Sequence, residues 1–308
     1  MLAHFLAPPQ VTACKMRWRH APLQPESATS PLARSNAHMK NALNHRVDAY
    51  DQNFVLETTL MHQWYPKRVA QLASGASMLE LGLGHGFTTA FFAQHFSPYR
   101  VIDGSPEMIQ RFRSRFNLPA VDIVESWFET FDTDERYDNI GMGFVLEHVA
   151  DPGFILRRFR RFLQPGGSVF VAVPNSESLH RRFGHAAGLL PDMESLSDAD
   201  REFGHRRYFN LRSLTRLCED EGYRMLRAEG ILLKPITNRQ MEQLDLSPEI
   251  LGGMLTVGID YPELCNAILL MLKPEADDCD CRETPPDAAA VFPAPACTLG
   301  SGGGSQHS

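Results

Sequence analysis

The sequence predicts an α/β protein: a largely parallel sheet with helices on both faces and helical insertions over one end. Between residues 77 and 174, short β-type runs alternate with helical stretches. A glycine-rich turn directly follows the first run, and the segment after Pro174 carries helical patches without a strand. Strands joined through helices make right-handed crossovers and therefore lie parallel. Ligands of such sheets collect at the carboxyl ends of the strands, near the point where strand order reverses.

Each element has its own justification. SMLELGL (77–83) reads as a strand and FTTAFFAQHF (87–96) as the helix after it, followed by the strand YRVIDG (99–104). Ser105-Pro106-Glu107 opens the next helix, with Ser at the cap and Pro at the first helical position. AVDIVES (120–126) and YDNIGMGF (137–144) are strands, and PGFILRRFRRFL (152–163) is a helix whose Phe154, Ile155, Phe159 and Phe162 form the buried stripe. Its four arginines, Arg157, Arg158, Arg160 and Arg161, then occupy a solvated face rather than a nucleic-acid patch. A turn at Gln164-Pro165-Gly166-Gly167 leads into the strand SVFVAVP (168–174). Beyond the insertion, 211–223 reads as an amphipathic helix, 224–234 as a strand, 236–258 as a second helical insertion and 265–273 as a final strand.

Composition narrows the function. The chain has 308 residues and a formal net charge of −7, which argues against a nucleic-acid partner. No run reaches the roughly 18 uncharged apolar residues of a membrane helix. Six scattered cysteines read as reduced and the protein as cytoplasmic. Residues 1–38 and 275–308 are expected to be a disordered leader and tail, because their Pro, Ala, Ser and Gly content cannot build a core. The leader is also acid-poor, as transit peptides are, but Pro8, Pro9, Pro22 and Pro25 interrupt any long amphipathic helix.

The loop LELGLGHG (79–86) raises the question of its ligand. A dinucleotide loop spaces its glycines Gly-x-Gly-x-x-Gly to admit a pyrophosphate. Here Gly82, Gly84 and Gly86 alternate, and Glu80 precedes them, where a carboxylate repels a phosphate and favours a cation. Asp103, at the end of the second strand, suits ribose hydroxyls. A ribose at one end and a positive charge at the other describe S-adenosylmethionine.

LELGLGHG, VIDGSPEMI, YDNIGMGFVLEHVADP and LQPGGSVFVAVPN, in this order, resemble the successive motifs of class I S-adenosylmethionine-dependent methyltransferases. LEHV-x-DP and L-x-PGG are similar to the group of the ubiquinone-biosynthesis O-methyltransferases and many natural-product methyltransferases. The resemblance, strong over about 76–175 and looser over 203–223, implies a Rossmann-like, seven-stranded mixed sheet; the composition of the two ends bounds the methyltransferase domain at 39–274, and the strand-free helical stretches mark cap insertions at about 175–209 and 236–258. It places Glu80 toward the methionine ammonium, Gly82 and Gly84 along the cofactor, and Asp103 on the ribose. Gly104, Met108, Ser126 and Trp127 fall at the adenosine, and Gly143-Phe144 offers a carbonyl to the ammonium. Tyr50 is a candidate lid residue, with Trp64 and Tyr65 beside it. His85 stands where the family commonly has a small residue and is expected to point to solvent.

Removing the acceptor's proton needs a base. His148, expected one turn into the helix after the fourth strand, is the first candidate; Glu147 is expected to turn toward the scaffold. The insertion repeats His-Arg-Arg at 180–182 and 205–207, and His205 is the second candidate base. Most charges there are expected to be solvated or paired. No metal ligand set is expected. The predicted reaction is methyl transfer to a small molecule, O-methylation of a hydroxyl or carboxyl group first and N-methylation next. A peptide or protein side chain, and a cofactor-binding regulatory protein without transferase activity, are the alternatives.

Overall fold

The computed structural model describes residues 55–275; the predicted leader, Tyr50 and the tail beyond Glu275 lie outside them. Helix α1 (Val55–Leu72) precedes β1 (Met78–Leu81), α2 (Phe87–His95), β2 (Tyr99–Asp103), α3 (Pro106–Arg115) and β3 (Asp122–Glu125). Then come β4 (Tyr137–Gly143), α4 (Pro152–Arg160) and β5 (Leu163–Pro174). The first insertion carries α5 (Leu179–Ala186) and α6 (Asp198–Phe203), and α7 (Leu211–Asp220) leads to β6 (Tyr223–Ile231). The second insertion carries α8 (Asn238–Gln243) and α9 (Pro248–Gly258), and β7 (Ala267–Pro274) closes the sheet.

The seven strands run in the order β3-β2-β1-β4-β5-β7-β6, parallel except for β7, which is antiparallel to both neighbours. The expected mixed sheet is therefore present. Strand order reverses between β1 and β4, where Glu80 lies opposite Gly141. Helix starts follow local chemistry. The Ser105 side chain accepts from Met108 N at 3.2 Å with Pro106 behind it, and Asp151 accepts from Phe154 N at 2.9 Å ahead of Pro152.

Side-chain alternation along β5 feeds two cores. Val169, Val171 and Val173 pack with Ile155, Leu156 and Phe159 of α4 and Leu214 of α7. Phe170 and Ala172 face Met61, Tyr65, Val69, Phe92 and Leu255. Phe154 departs from expectation: it is 37% exposed, and Leu156 fills the core in its place. The turn at Gln164–Gly167 is absorbed into β5, because Leu163 already pairs with Tyr137 and the register jumps to Asn139 opposite Ser168. None of the described helices is long and apolar enough to cross a membrane.

Helix α1 is tied across the opposite edge of the sheet. Arg68 grips Glu229 of β6 with two hydrogen bonds of 2.7 Å. Asn266 donates to Glu57 at 2.7 Å, and Lys234 Nζ lies 2.8 Å from the other oxygen of Glu57. The same helix brings His62 to 4.9 Å from the rings of His85, in the loop after β1, and Phe144, directly after β4.

Gly86 allows the loop after β1 to turn into α2. Its φ is +78°, and a Cβ there would stand 2.5 Å from Phe116 and 2.8 Å from Phe112. Gly86→Ala should therefore destabilise the protein by about 2–3 kcal/mol through strain and overpacking, read as a lowered thermal midpoint. An unchanged midpoint would contradict this account of the turn.

Candidate active site

The loop 82–86 is fixed by backbone and carboxylate together. Gly82 N donates to Ile102 O at 2.8 Å, tying the loop to β2. Asp103 Oδ2 accepts from Leu83 N at 2.9 Å, and Oδ1 accepts from Ser105 N at 2.8 Å. Both oxygens keep a second lone pair for a ligand hydroxyl. Burial pushes the Asp103 carboxyl upward, while these two amides pull it back.

Glu80 is 3% exposed. Its Oε2 accepts from Thr89 Oγ1 at 2.8 Å and from the Tyr99 hydroxyl; among the described residues Oε1 accepts nothing. Burial raises its carboxyl to about 8, against the lowering effect of the two hydroxyls, with the nearby Asp103 charge adding to the rise. A buried carboxylate with a vacant oxygen demands either a proton or a cation.

A cleft of about 890 Å³ opens over the carboxyl ends of the strands. Glu80, Gly82, Gly84 and Asp103 line it, with Gly104, Met108, Ser126 and Trp127 on the β2–β3 side. Gly143 and Phe144 border it at the end of β4, and His148 and His205 lie on the cap side. The described residues singled out from the sequence as a site thus share one cavity. Gly84, which lines the cleft, has φ +47° and, among the described residues beyond its chain neighbours, nothing within 4 Å of a Cβ.

Local placements differ from expectation in several places. His148 lies in the turns between β4 and α4, its N donating to Val145 O at 3.0 Å, because Pro152 sets the helix start later. Glu147 is 1% exposed but borders the cleft rather than serving the scaffold. Among the described residues neither of its carboxylate oxygens has a hydrogen-bond partner, and burial raises the group to about 7, with His205 pulling it down. Tyr65 is core rather than lid: its ring packs edge-on to Phe92 and would meet a Cβ on Gly143 at 2.6 Å. His85 is not a solvated loop residue, since its ring stands 4.9 Å from that of His62.

The cap supplies His205. Asp200 accepts from Ser197 N at 2.7 Å and from Tyr208 Oη at 3.0 Å, which fixes it on α6. His205 Nδ1 lies 3.3 Å from Asp200 Oδ1, within ion-pair reach though off the line of a hydrogen bond. The rings of His148 and His205 meet edge-to-face at 4.8 Å. Ligand atoms of Glu147, His148 and His205 all lie within 4.8 Å of one another, a grouping with the donor types a divalent cation takes. Sequence spacing does not reveal it, because His205 arrives from the distant insertion.

The arginines of the repeated His-Arg-Arg are mostly structural. Arg181 reaches the carbonyls of Ser176, Met193 and Ser195; Arg207 reaches those of Leu146, Val149 and Ala150; Arg182 pairs with Glu177. Arg206 is exposed at the cleft. Sequence reasoning missed His62, Glu57 and Lys234, which line the cleft from α1 and the β6 end. No motif announces them.

Residues 56–228, more than half of the chain, match the family model described as "Methyltransferase domain". Nodulation protein S of Rhizobium tropici is 33% identical over 123 residues, covering 38% of this chain and 51% of that protein. A ubiquinone biosynthesis O-methyltransferase of Xanthomonas oryzae pv. oryzae is 29% identical over 106 residues, covering 33% and 44%. The chain thus spans about half or less of the length of these curated relatives. Among solved structures, an S-adenosylmethionine-dependent methyltransferase from Thermotoga maritima superposes with a TM-score of 0.57 at 19% identity, over 77% of this chain and 99% of that one. The N-methyltransferase NodS of Bradyrhizobium japonicum, in complex with S-adenosylhomocysteine, has a TM-score of 0.50 at 13% identity, over 77% and 100%. With its strand order, its loop and this family match, the chain belongs to the class I S-adenosylmethionine-dependent methyltransferases.

Proposed function

We propose that the protein transfers a methyl group from S-adenosylmethionine to a small-molecule acceptor, to a hydroxyl or carboxyl oxygen first and to nitrogen as the second reading. The observation that carries this is one cleft lined both by cofactor-type carboxylates, Glu80 and Asp103, and by two histidines, His148 and His205. Relatives named as O-methyltransferases and N-methyltransferases both support a small acceptor without choosing the atom. A peptide side chain is the alternative, and the cap helices α5 and α6 favour the smaller ligand. Two free, buried thiols, Cys218 and Cys265, suit a reducing, cytoplasmic setting.

The residues fit this cofactor. The vacant Oε1 of Glu80 suits an ammonium, directly or through water, and Asp103 retains acceptor capacity for ribose hydroxyls. Trp127, against Gly104, borders the adenosine end with Met108 and Ser126. When bound, S-adenosylmethionine supplies the methyl group and its own leaving group. The protein's task is to orient the acceptor, exclude water and take up a proton. In this reading His205, with Asp200 beside it, and His148 take it at a ring nitrogen.

Incubation with methyl-labelled cofactor and a cell extract should label a solvent-extractable small product. Label on a protein band would favour the peptide reading, and no label with intact cofactor binding would favour a regulatory protein. Glu80 adds a pH dependence. Facing Tyr99, Thr89, Tyr65 and Asp103, its carboxyl is protonated below about pH 8 in the free protein, and binding an ammonium requires it ionised. Binding therefore expels a proton, so affinity for S-adenosylhomocysteine should rise from pH 6 to 8, by up to about tenfold per unit. Glu80→Gln should flatten the profile; an equally steep profile in that variant would sink this role.

A further inference from the structure

His85 of the loop after β1 is joined by two other rings. His62 of α1 stands 4.9 Å from His85 and 4.9 Å from Phe144, so three elements contribute one ring each to a continuous wall. All three residues line the cleft beside Glu80 and Gly82. Phe144 holds a left-handed backbone, φ +59°, a strained conformation for a residue with a bulky side chain. Its N donates to Ala172 O at 2.7 Å, which holds the strained turn on the sheet. Strain retained at a cleft wall points to a ring whose direction matters.

The wall is uncharged. Burial, with the neighbouring His85, lowers His62 to about 3; burial, with Arg115 nearby, lowers His85 to about 4. Arg115 itself lies over Phe87, 4.9 Å from the ring centroid. At neutral pH both imidazoles are therefore neutral rings with uncharged π faces. Such faces carry negative π density, which attracts a cation brought out of water.

We infer that His62, His85 and Phe144 form an aromatic wall that recognises the sulfonium of the methyl donor and favours it over the neutral thioether product. This rests on the donor-binding reading above and goes beyond it, because Glu80 and Asp103 bind parts that donor and product share. The wall binds the one group that changes, so methyl transfer itself weakens the hold on the product.

Isothermal titration with S-adenosylmethionine and with S-adenosylhomocysteine tests this without the acceptor. In a His62→Ala/His85→Ala variant the ratio of the two dissociation constants should shift against the sulfonium by about tenfold, the scale of a desolvated cation–π contact. Affinity for S-adenosylhomocysteine should stay within about threefold, since the shared contacts remain. His62→Phe/His85→Phe should restore the wild-type ratio, because it keeps the π faces. If the double alanine variant loses its cooperative thermal transition, His85→Ala alone carries the same test. An unchanged ratio, or equal weakening of both ligands, would overturn the wall. Wild-type protein that bound neither nucleoside would instead overturn the donor-binding reading itself, so the two failures are distinguishable.

Discussion

Gly84→Val should abolish nucleoside binding, with affinity for S-adenosylhomocysteine falling at least about 100-fold in a calorimetric titration. Among the described residues other than its chain neighbours, no atom lies within 4 Å of a Cβ at this cleft-lining position, so the valine methyls meet no wall and occupy open space that the ligand needs. The backbone there has φ +47°, which a β-branched residue adopts only under strain, so stability should also fall by about 1–3 kcal/mol. The two effects separate. A folded variant that retains wild-type affinity would mean that the cofactor does not run past Gly84.

His205→Ala should lower methyl incorporation into the extractable product by about 10²–10⁴-fold, the usual contribution of a general base. Affinity for S-adenosylhomocysteine should be nearly unchanged, since His205 sits on the cap and the residues proposed for the cofactor lie on or just after β1 to β4 and on α3. His148→Ala divides two roles for its neighbour in the same edge-to-face pair. Lost turnover with retained affinity marks a base, whereas lost affinity marks a residue that shapes the loop after β4. Full turnover in His205→Ala would remove the cap histidine from the mechanism.

The sheet was legible because its signals are local. Strand runs, the Ser105-Pro106 cap and the Asp151-Pro152 cap each specify an element within a few residues, and four motifs in order identify the family. Glu80, Asp103 and the glycines could be named because they follow strand ends. What escaped depends on contacts between distant segments. His85 looked solvated until α1 brought His62 against it, and Glu147 looked like scaffold until His205 arrived from the insertion. Lys234 and Glu57 are 177 positions apart and meet only because α1 crosses the edge of the sheet. Phe154 and Leu156 exchanged places because a helical stripe is broad, and which edge is buried depends on the angle at which α4 packs.

The most direct test of the central claim is a competition titration of the protein with S-adenosylhomocysteine and NAD. The account predicts saturable binding of S-adenosylhomocysteine at one site per chain, undisturbed by excess NAD, because the ligand's ammonium pairs with an ionised Glu80, a contact that a dinucleotide's pyrophosphate cannot make. Strong NAD binding that displaces S-adenosylhomocysteine would contradict it.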